Sequence, residues 1–321
     1  MAAKSADPFS AATHALAARF RRQRPLRGGS LLVTILGDAI APRGGSIALA
    51  SLIQLARPFG LTERLVRTSI GRLANEDWVS SQRVGRSSYY SLAAPGRIRF
   101  AEATQRIYGA APDSWDGQWT LVVVPPALKK LRDDLREELR WLGFGQLTSS
   151  RGGGVFAHPT HREDEIRARL AELERAGELI VIRGNSAVRA SDTQLVSMGW
   201  DFGDLTRRYR RFISMFAPIR AALNGTGVAD AGGETSFVLR TLLLHEYRKI
   251  HLRDPLLPAS LLPPAWAGTD AYDLCRSLYA AVFPASERYL SQTVQTLAGA
   301  LPAPVSDTFA RFGGLPKSEM T

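Results

Sequence analysis

One cysteine, Cys275, stands in a chain of 321 residues. A single thiol excludes an internal disulfide framework and a cysteine-rich zinc site. Long apolar runs are missing as well. The stretch SLLVTILGDAIA at 30–41 is among the longest, well short of the ~20 residues that span a bilayer. The opening MAAKSADPFSAATHALAARF holds no continuous apolar core of the secretory kind. A cytoplasmic protein with no membrane partner is the simplest expectation. Acidic residues are scarce in one region only. Residues 1–110 hold 16 Lys and Arg against 6 Asp and Glu, a net of +10, whereas residues 111–321 hold 25 against 24. A localised basic field favours polyanions through counterion release. The aromatic ribonucleoprotein motif and the lipidation signals that would direct it to RNA or a membrane are absent.

Catalytic and metal motifs are also wanting. His245-Glu246 opens like a zinc-protease helix, but Lys249 occupies the i+4 position and the next histidine, His251, falls at i+6. Two histidines at i and i+4 are needed to share one helix face. Ser150-Arg151-Gly152-Gly153-Gly154 lacks the Gly-Lys-Ser/Thr ending of a phosphate loop and precedes a strand. No Ser/His/Asp or Cys/His spacing stands out. No catalytic residue, metal or cofactor is expected.

What is present is concentrated in residues 61–90, LTERLVRTSIGRLANEDWVSSQRVGRSSYY. Val66, Ile70 and Leu73 form one apolar stripe at helical spacing. Thr62 is placed as an N-cap, and Glu63 suits the positive end of the helix dipole. The other face carries Arg64, Arg67, Thr68 and Arg72, an outer surface suited to the major groove. After Trp78 the pattern becomes a hairpin, 79–84 and 87–92, with Gly85-Arg86 at its turn. Arg83, Arg86 and Ser87 then lie at the tip of a wing. Thr62, Arg64, Arg67, Thr68, Arg72, Arg83, Arg86 and Ser87 are the candidate DNA-binding residues.

The fold class expected is α+β and multidomain. Residues 1–29 read as a basic arm, with a helix possible over 13–24 and Arg19, Arg21, Arg22, Arg24 and Arg27 set for DNA backbone or solvent. Residues 30–94 read as a winged helix-turn-helix: a helix over 30–41, a break at Pro42-Arg43-Gly44-Gly45, a second helix from Ile47 to Arg57 capped by Ser46, then the recognition helix and wing. A basic linker helix follows from Pro95 to Tyr108 within 95–114. Residues 115–184 read β-α-β-β-α-β, the order of a ferredoxin-like domain, with Pro126 in the first turn of its first helix. Residues 185–300 read as mainly helical, with a loop at 224–233 and separate helices at 268–283 and 286–299. Residues 301–321 read as a flexible tail.

The segment LLLHEYRKIHLRDPLLPASLLPPAWAGTDAYDLCRSLY at 242–279 closely resembles the C-terminal signature of the PaaX family. The recognition segment and WDGQWTLVV at 115–123 resemble it too, and the similarity covers roughly residues 30–295. The resemblance implies a dimeric transcriptional repressor of bacterial phenylacetic acid catabolism, bound to double-stranded operator DNA and released by an aryl-acyl-CoA, usually phenylacetyl-CoA. It also implies a central domain similar to the ferredoxin-fold subunit of a CRISPR-associated nuclease. That nuclease has an acidic residue where the first strand here ends in Val124-Pro125-Pro126, which argues against cleavage. An acyl-CoA effector needs cations for its phosphates and an apolar pocket for its acyl end. Arg240, His245, Tyr247, Arg248, Arg253 and Trp266 are the candidate effector residues, with the site expected between the central and C-terminal domains. His245, Glu246 and Arg248 also suit an internal polar network. The alternatives are an acyl-CoA-metabolising or nucleic-acid-cleaving enzyme with a DNA-binding head, and a regulator with no effector.

Overall fold

A computed structural model describes residues 7–25, 28–112, 114–125, 132–149, 154–161, 163–171, 179–226 and 232–315. The chain divides into two compact units. The first takes residues 1–109, 210–249 and 269–321; the second takes 110–209 and 250–268. Both helices and strands build the molecule.

In the first unit, α1 spans Pro8–Arg21. Asp7 caps it by accepting from the Ser10 N–H at 3.2 Å, and Pro8 takes the first turn, where a missing N–H costs nothing. Phe9, Thr13, Ala17 and Phe20 form its buried face. The N-terminal segment is therefore a packed helix over this span, not a loose arm. Its signal was present in the sequence as apolar and small residues spaced four, four and three apart.

Helix α2, Gly28–Ile35, passes into a π-turn over Leu36–Ile40 and a 3-10 turn over Ala41–Arg43. Gly44 and Gly45 then adopt φ of 82° and 72°, a conformation glycine takes without strain. They lead into a short strand, β1, Ser46–Ala48. Here the structure corrects the expected helix start. Ser46 caps nothing; it lies in β1, which pairs antiparallel with β3, Ser87–Leu92, with Ile47 opposite Tyr90. Helix α3 begins only at Leu49 and ends at Ala56. The edge of β3 supplies backbone partners that a local reading of 46–48 does not contain.

Helix α4, Glu63–Asn75, follows a 3-10 turn over Arg57–Phe59. Strand β2, Val79–Val84, pairs with β3 across Gly85, giving a sheet in the order β1-β3-β2. Helix α5, Ala94–Tyr108, starts one residue before the expected Pro95, which sits in its first turn, and ends at the expected Tyr108. Gly96 is required there: a Cβ would lie 2.1 Å from the Trp78 carbonyl oxygen.

The core of this unit joins α2, α3 and α4 to Phe237, Val238, Leu242, Leu290, Val294 and Leu301. These come from α10, Gly233–His251, from α11, Ala267–Thr293, and from the chain just after it. Helix α11 is continuous where two helices were expected. Pro284 lies inside it, and the burial of Val282, Phe283 and Ala285 around it offsets the missing hydrogen bond. Two-residue strands β8, Gln295–Thr296, and β9, Gly299–Ala300, replace the expected end of the second helix. The expected tail also packs: Thr308, Arg311 and Phe312 are buried within a 3-10 segment, Ser306–Gly313.

The second unit carries β4, Gln118–Val124; α6, Arg132–Trp141; β5, Gly145–Ser149; β6, Gly154–His158; α7, Glu163–Leu170; and β7, Ile180–Asn185. Its sheet is antiparallel in the order β5-β6-β4-β7. The expected positions of Pro126 and of the glycine-rich loop at 150–153 lie outside the described residues. Side chains of β4 alternate between two cores. Val122 and Val124 pack with Leu135, Leu139 and Ile166, while Trp119 packs with Ala157, Val196 and Leu257. Helix α8, Arg189–Gly199, covers the second face, and Trp119 donates to Asp192 at 2.8 Å. Helix α9, Phe202–Thr226, begins here and runs through part of the expected 224–233 loop.

Candidate nucleic-acid interface

Helix α4 has two chemically distinct sides. Val66 and Ile70 are fully buried and Leu73 nearly so, each burial contributing ~1.5–3 kcal/mol. Thr62, Arg64, Arg67, Thr68 and Arg72 are all exposed. Thr62 Oγ1 accepts from the Leu65 N–H at 3.3 Å, so its own O–H stays available to donate. Thr68 donates to the Arg64 carbonyl at 2.9 Å and keeps its oxygen as an acceptor. Arg67 pairs with Glu63 at 2.7 Å, both more than half exposed. An exposed i,i+4 pair contributes little, so Arg67 can exchange Glu63 for another anion at small cost.

Arg83, Arg86 and Ser87 lie exposed at the hairpin tip. Gly85 makes the turn at φ 58°, and Arg83 Nε donates to its carbonyl at 3.3 Å. Val84, 48% exposed, is an apolar tip residue that the sequence reading passed over. In α5, Arg97 donates to the Gly44 carbonyl at 3.3 Å. Arg99 donates to the Glu76 carbonyl at 3.4 Å and lies 5.1 Å over the Trp78 ring. These two arginines tie α5 to the turn before β1 and to the end of α4. In α1 and just after it, Arg19, Arg21, Arg22 and Arg24 are exposed, and Arg21 donates to the Pro58 carbonyl at 2.9 Å. Arg27 lies outside the described residues.

The six effector candidates divide between the units. Arg253 is exposed and Trp266 buried in the second unit, where Trp266 packs edge-on against Phe202 and Tyr209. The other four belong to the first. Tyr247 is fully buried beside Phe212 and Phe312. His245 Nδ1 lies 3.0 Å from Thr34 Oγ1. Arg248 donates to the same hydroxyl at 2.8 Å and to the Ser30 carbonyl at 2.6 Å. Burial, with Arg248 and Lys249 beside it, pushes the His245 pKa down to about 2. His245 and Arg248 thus form an internal polar network with α2. Glu246 is not part of it and pairs with Lys249 at 3.0 Å.

Arg240 has no exposed surface. Its Nε donates to Asp38 at 2.7 Å, and it pairs also with Glu287, as does Arg43. Arg311 reaches Asp38 at 2.9 Å, and the Tyr108 and Tyr279 hydroxyls each donate to Asp38 at 2.6 Å. Burial pushes the Asp38 carboxyl up, but Arg240 and Arg311 outweigh it and hold its pKa at about 2. Arg240 stacks over the Tyr279 and Phe283 rings, and Arg311 over Tyr108. The charge of Arg240 is committed to this cluster. The sequence carried half a signal for it: Asp38 interrupts an apolar run, and a buried carboxylate needs a partner. Tyr108 stands 70 positions away and the charged partners more than 200, so none could be read from the sequence around Asp38.

Among the described residues, no group of three or more His, Cys, Asp or Glu is placed to hold a metal ion. No described helix is long and apolar enough to cross a membrane.

Comparison with known proteins divides the chain into three matched regions. Residues 27–96 match a family model described as PaaX-like protein. Residues 112–196 match the PaaX protein central Cas2-like domain, and 200–292 the PaaX-like protein C-terminal domain. The chain is 36% identical over 294 residues to the transcriptional repressor PaaX of Escherichia coli (strain K12), covering 91% of this chain and 92% of that protein. A solved structure of an uncharacterized protein from Mycobacterium tuberculosis aligns at 20% identity with a TM-score of 0.46, over 74% of this chain and 88% of that one.

Proposed function

This chain belongs to the PaaX family, and from that membership we propose that it is a DNA-binding repressor of phenylacetate or related aryl-acid catabolic genes. The element order from α2 to β3, with its sheet β1-β3-β2, is read as a winged helix-turn-helix. The β-α-β-β-α-β unit with order β5-β6-β4-β7 is read as ferredoxin-like. One observation carries the DNA reading. Arg64, Arg67 and Arg72 are exposed opposite a fully buried stripe, in the one strongly basic third of the chain. In this reading α4 enters the major groove, and Arg83, Arg86 and Ser87 anchor the wing on phosphate or in the minor groove. The working form is a homodimer on a palindromic operator, its half-sites ~10 base pairs or a multiple apart. An aryl-acyl-CoA, phenylacetyl-CoA first, releases it by binding the DNA-incompetent state more tightly.

The test is fluorescence anisotropy on labelled DNA from upstream of the chain's own gene cluster, at fixed salt because affinity depends on it. Phenylacetyl-CoA is titrated against free phenylacetate and free CoA. Release by the thioester alone supports the full reading. Specific binding that ignores every acyl-CoA keeps the DNA-binding head and removes the effector. For Arg67→Ala, a loss of ~1–3 kcal/mol confined to one operator position marks a base contact. A uniform loss with a salt slope lower by about 1 marks a phosphate contact. Unchanged affinity and preference would remove α4 from the interface.

A further inference from the structure

Helix α1 lies before residues 27–96, the span that matches the PaaX-like family model. It is nevertheless built onto the start of α4. Phe20 packs edge-on against Phe59, with ring centroids 6.3 Å apart. Arg21 donates to the Pro58 carbonyl at 2.9 Å. Its stem fills the space that a side chain at Gly60 would take, since a Cβ there would lie 2.9 Å from Arg21 Cγ. Gly60 turns the chain at φ 77°, and Thr62 then caps α4. The C-terminal end of α1 is thereby fixed against the turn that leads from α3 into α4.

The cations at this junction are uncommitted. Between Asp7 and Asp38 the chain carries five arginines and no acidic residue. Arg19 and Arg22 are exposed on the side of α1 away from the buried Phe9, Thr13, Ala17 and Phe20. Arg57 is exposed on the 3-10 turn. Arg22 and Arg57 each stand one residue from the bond that joins Arg21 to Pro58. Among the described residues, none of the side chains of Arg19, Arg22 and Arg57 makes a hydrogen bond or an ion pair. Asp38 is buried, and Glu63 is already paired with Arg67. The helix dipole accounts for a cation in the last turn of α1. It does not account for Arg57, which comes from another segment.

We propose that Arg19, Arg22 and Arg57 form a second DNA contact, a phosphate clamp beside the groove that α4 enters. Three unpaired cations from two segments, held together at the start of α4, suit the evenly spaced charges of a duplex backbone. Contacts of this kind set register and orientation and carry no sequence information. The contact rests on the reading of α4 as the helix in the major groove; its place rests on the packing of α1 against residues 57–60.

The experiment is fluorescence anisotropy of the full chain across a salt series, on the upstream DNA and on an unrelated duplex of equal length. Three proteins are compared: wild type, Arg19→Gln/Arg22→Gln/Arg57→Gln, and a control with the same loss of charge, Arg210→Gln/Arg211→Gln/Arg220→Gln. The control arginines are exposed on α9 in the same unit. All six positions are exposed, so both variants should melt with wild type. Each lost phosphate contact lowers the slope of log affinity against log salt by ~0.9, so the first variant should fall ~2–3 below wild type on both duplexes. Its preference for the upstream DNA should be unchanged, and the control should keep the wild-type slope. A wild-type slope in the first variant, or an equal fall in the control, overturns the clamp. If sequence preference is intact while that slope stays unmoved, α1 is removed and α4 keeps the groove. If wild type prefers neither duplex and the slope still falls in the first variant alone, α4 loses its reading role and the clamp stands. A wild type that binds neither duplex removes both.

Discussion

Asp38 shows how much one residue holds. It accepts from two arginines and two tyrosines while buried to 4% exposure. Asp38→Asn should cost ~3–5 kcal/mol, because removing one charge from a buried network strands the others; urea unfolding at neutral pH measures it. His245 gives a pH signature. Its folded pKa of about 2 lies far below the ordinary 6.5. Below pH 6.5 the unfolded chain takes up a proton that the folded chain refuses, so this contribution is complete above 6.5 and is lost as pH falls toward 2. The slope approaches ~1.4 kcal/mol per pH unit. The urea midpoint should therefore drop between pH 7.5 and 5.5, and drop less in His245→Gln. An equal drop in both proteins would assign the slope to other groups. At this scale the sequence was legible wherever the signal is local. The Val66-Ile70-Leu73 stripe and the Thr62 cap are such cases. Asp38 and Arg311 lie 273 positions apart, and no window of sequence contains both.

Among elements, α5 is the most constrained by its first turn. Gly96→Ala would drive a methyl into the Trp78 carbonyl. Overpacking against backbone costs ~1–3 kcal/mol, and the start of α5 must move away from the foot of the hairpin. The expected outcome is a lower melting temperature together with weaker operator binding, from a residue that itself faces no DNA. Loss of stability without loss of binding would separate α5 from the recognition elements. Helices with their own periodicity and stops, such as α4 and α5, could be read from their residues. Strand β1 could not, because its pairing partner lies some 40 residues downstream in β3. Helix α11 was expected as two helices, 268–283 and 286–299; it runs unbroken through Pro284, whose buried neighbours hold the helix together.

For the molecule as a whole, the partition of charge was legible and the path of the chain was not. The basic first 109 residues look like a separable head. In the structure they form one unit with 210–249 and 269–321, and their core includes Phe237, Leu242, Leu290 and Val294. A fragment ending at residue 109 should therefore lack a cooperative thermal transition and show poorly dispersed amide resonances. A well-dispersed spectrum from that fragment would show that the later residues are dispensable to the core.

That interleaving bears on how the protein is made. Synthesis runs at ~5–20 residues per second, so the residues that would read DNA leave the ribosome roughly 10–40 s before the segment near residue 300 that completes their core. Until then the nascent chain is a cationic, incompletely buried polymer in need of chaperone protection. A message truncated anywhere in its last quarter would yield material for proteases, with no half-working competitor for the promoter.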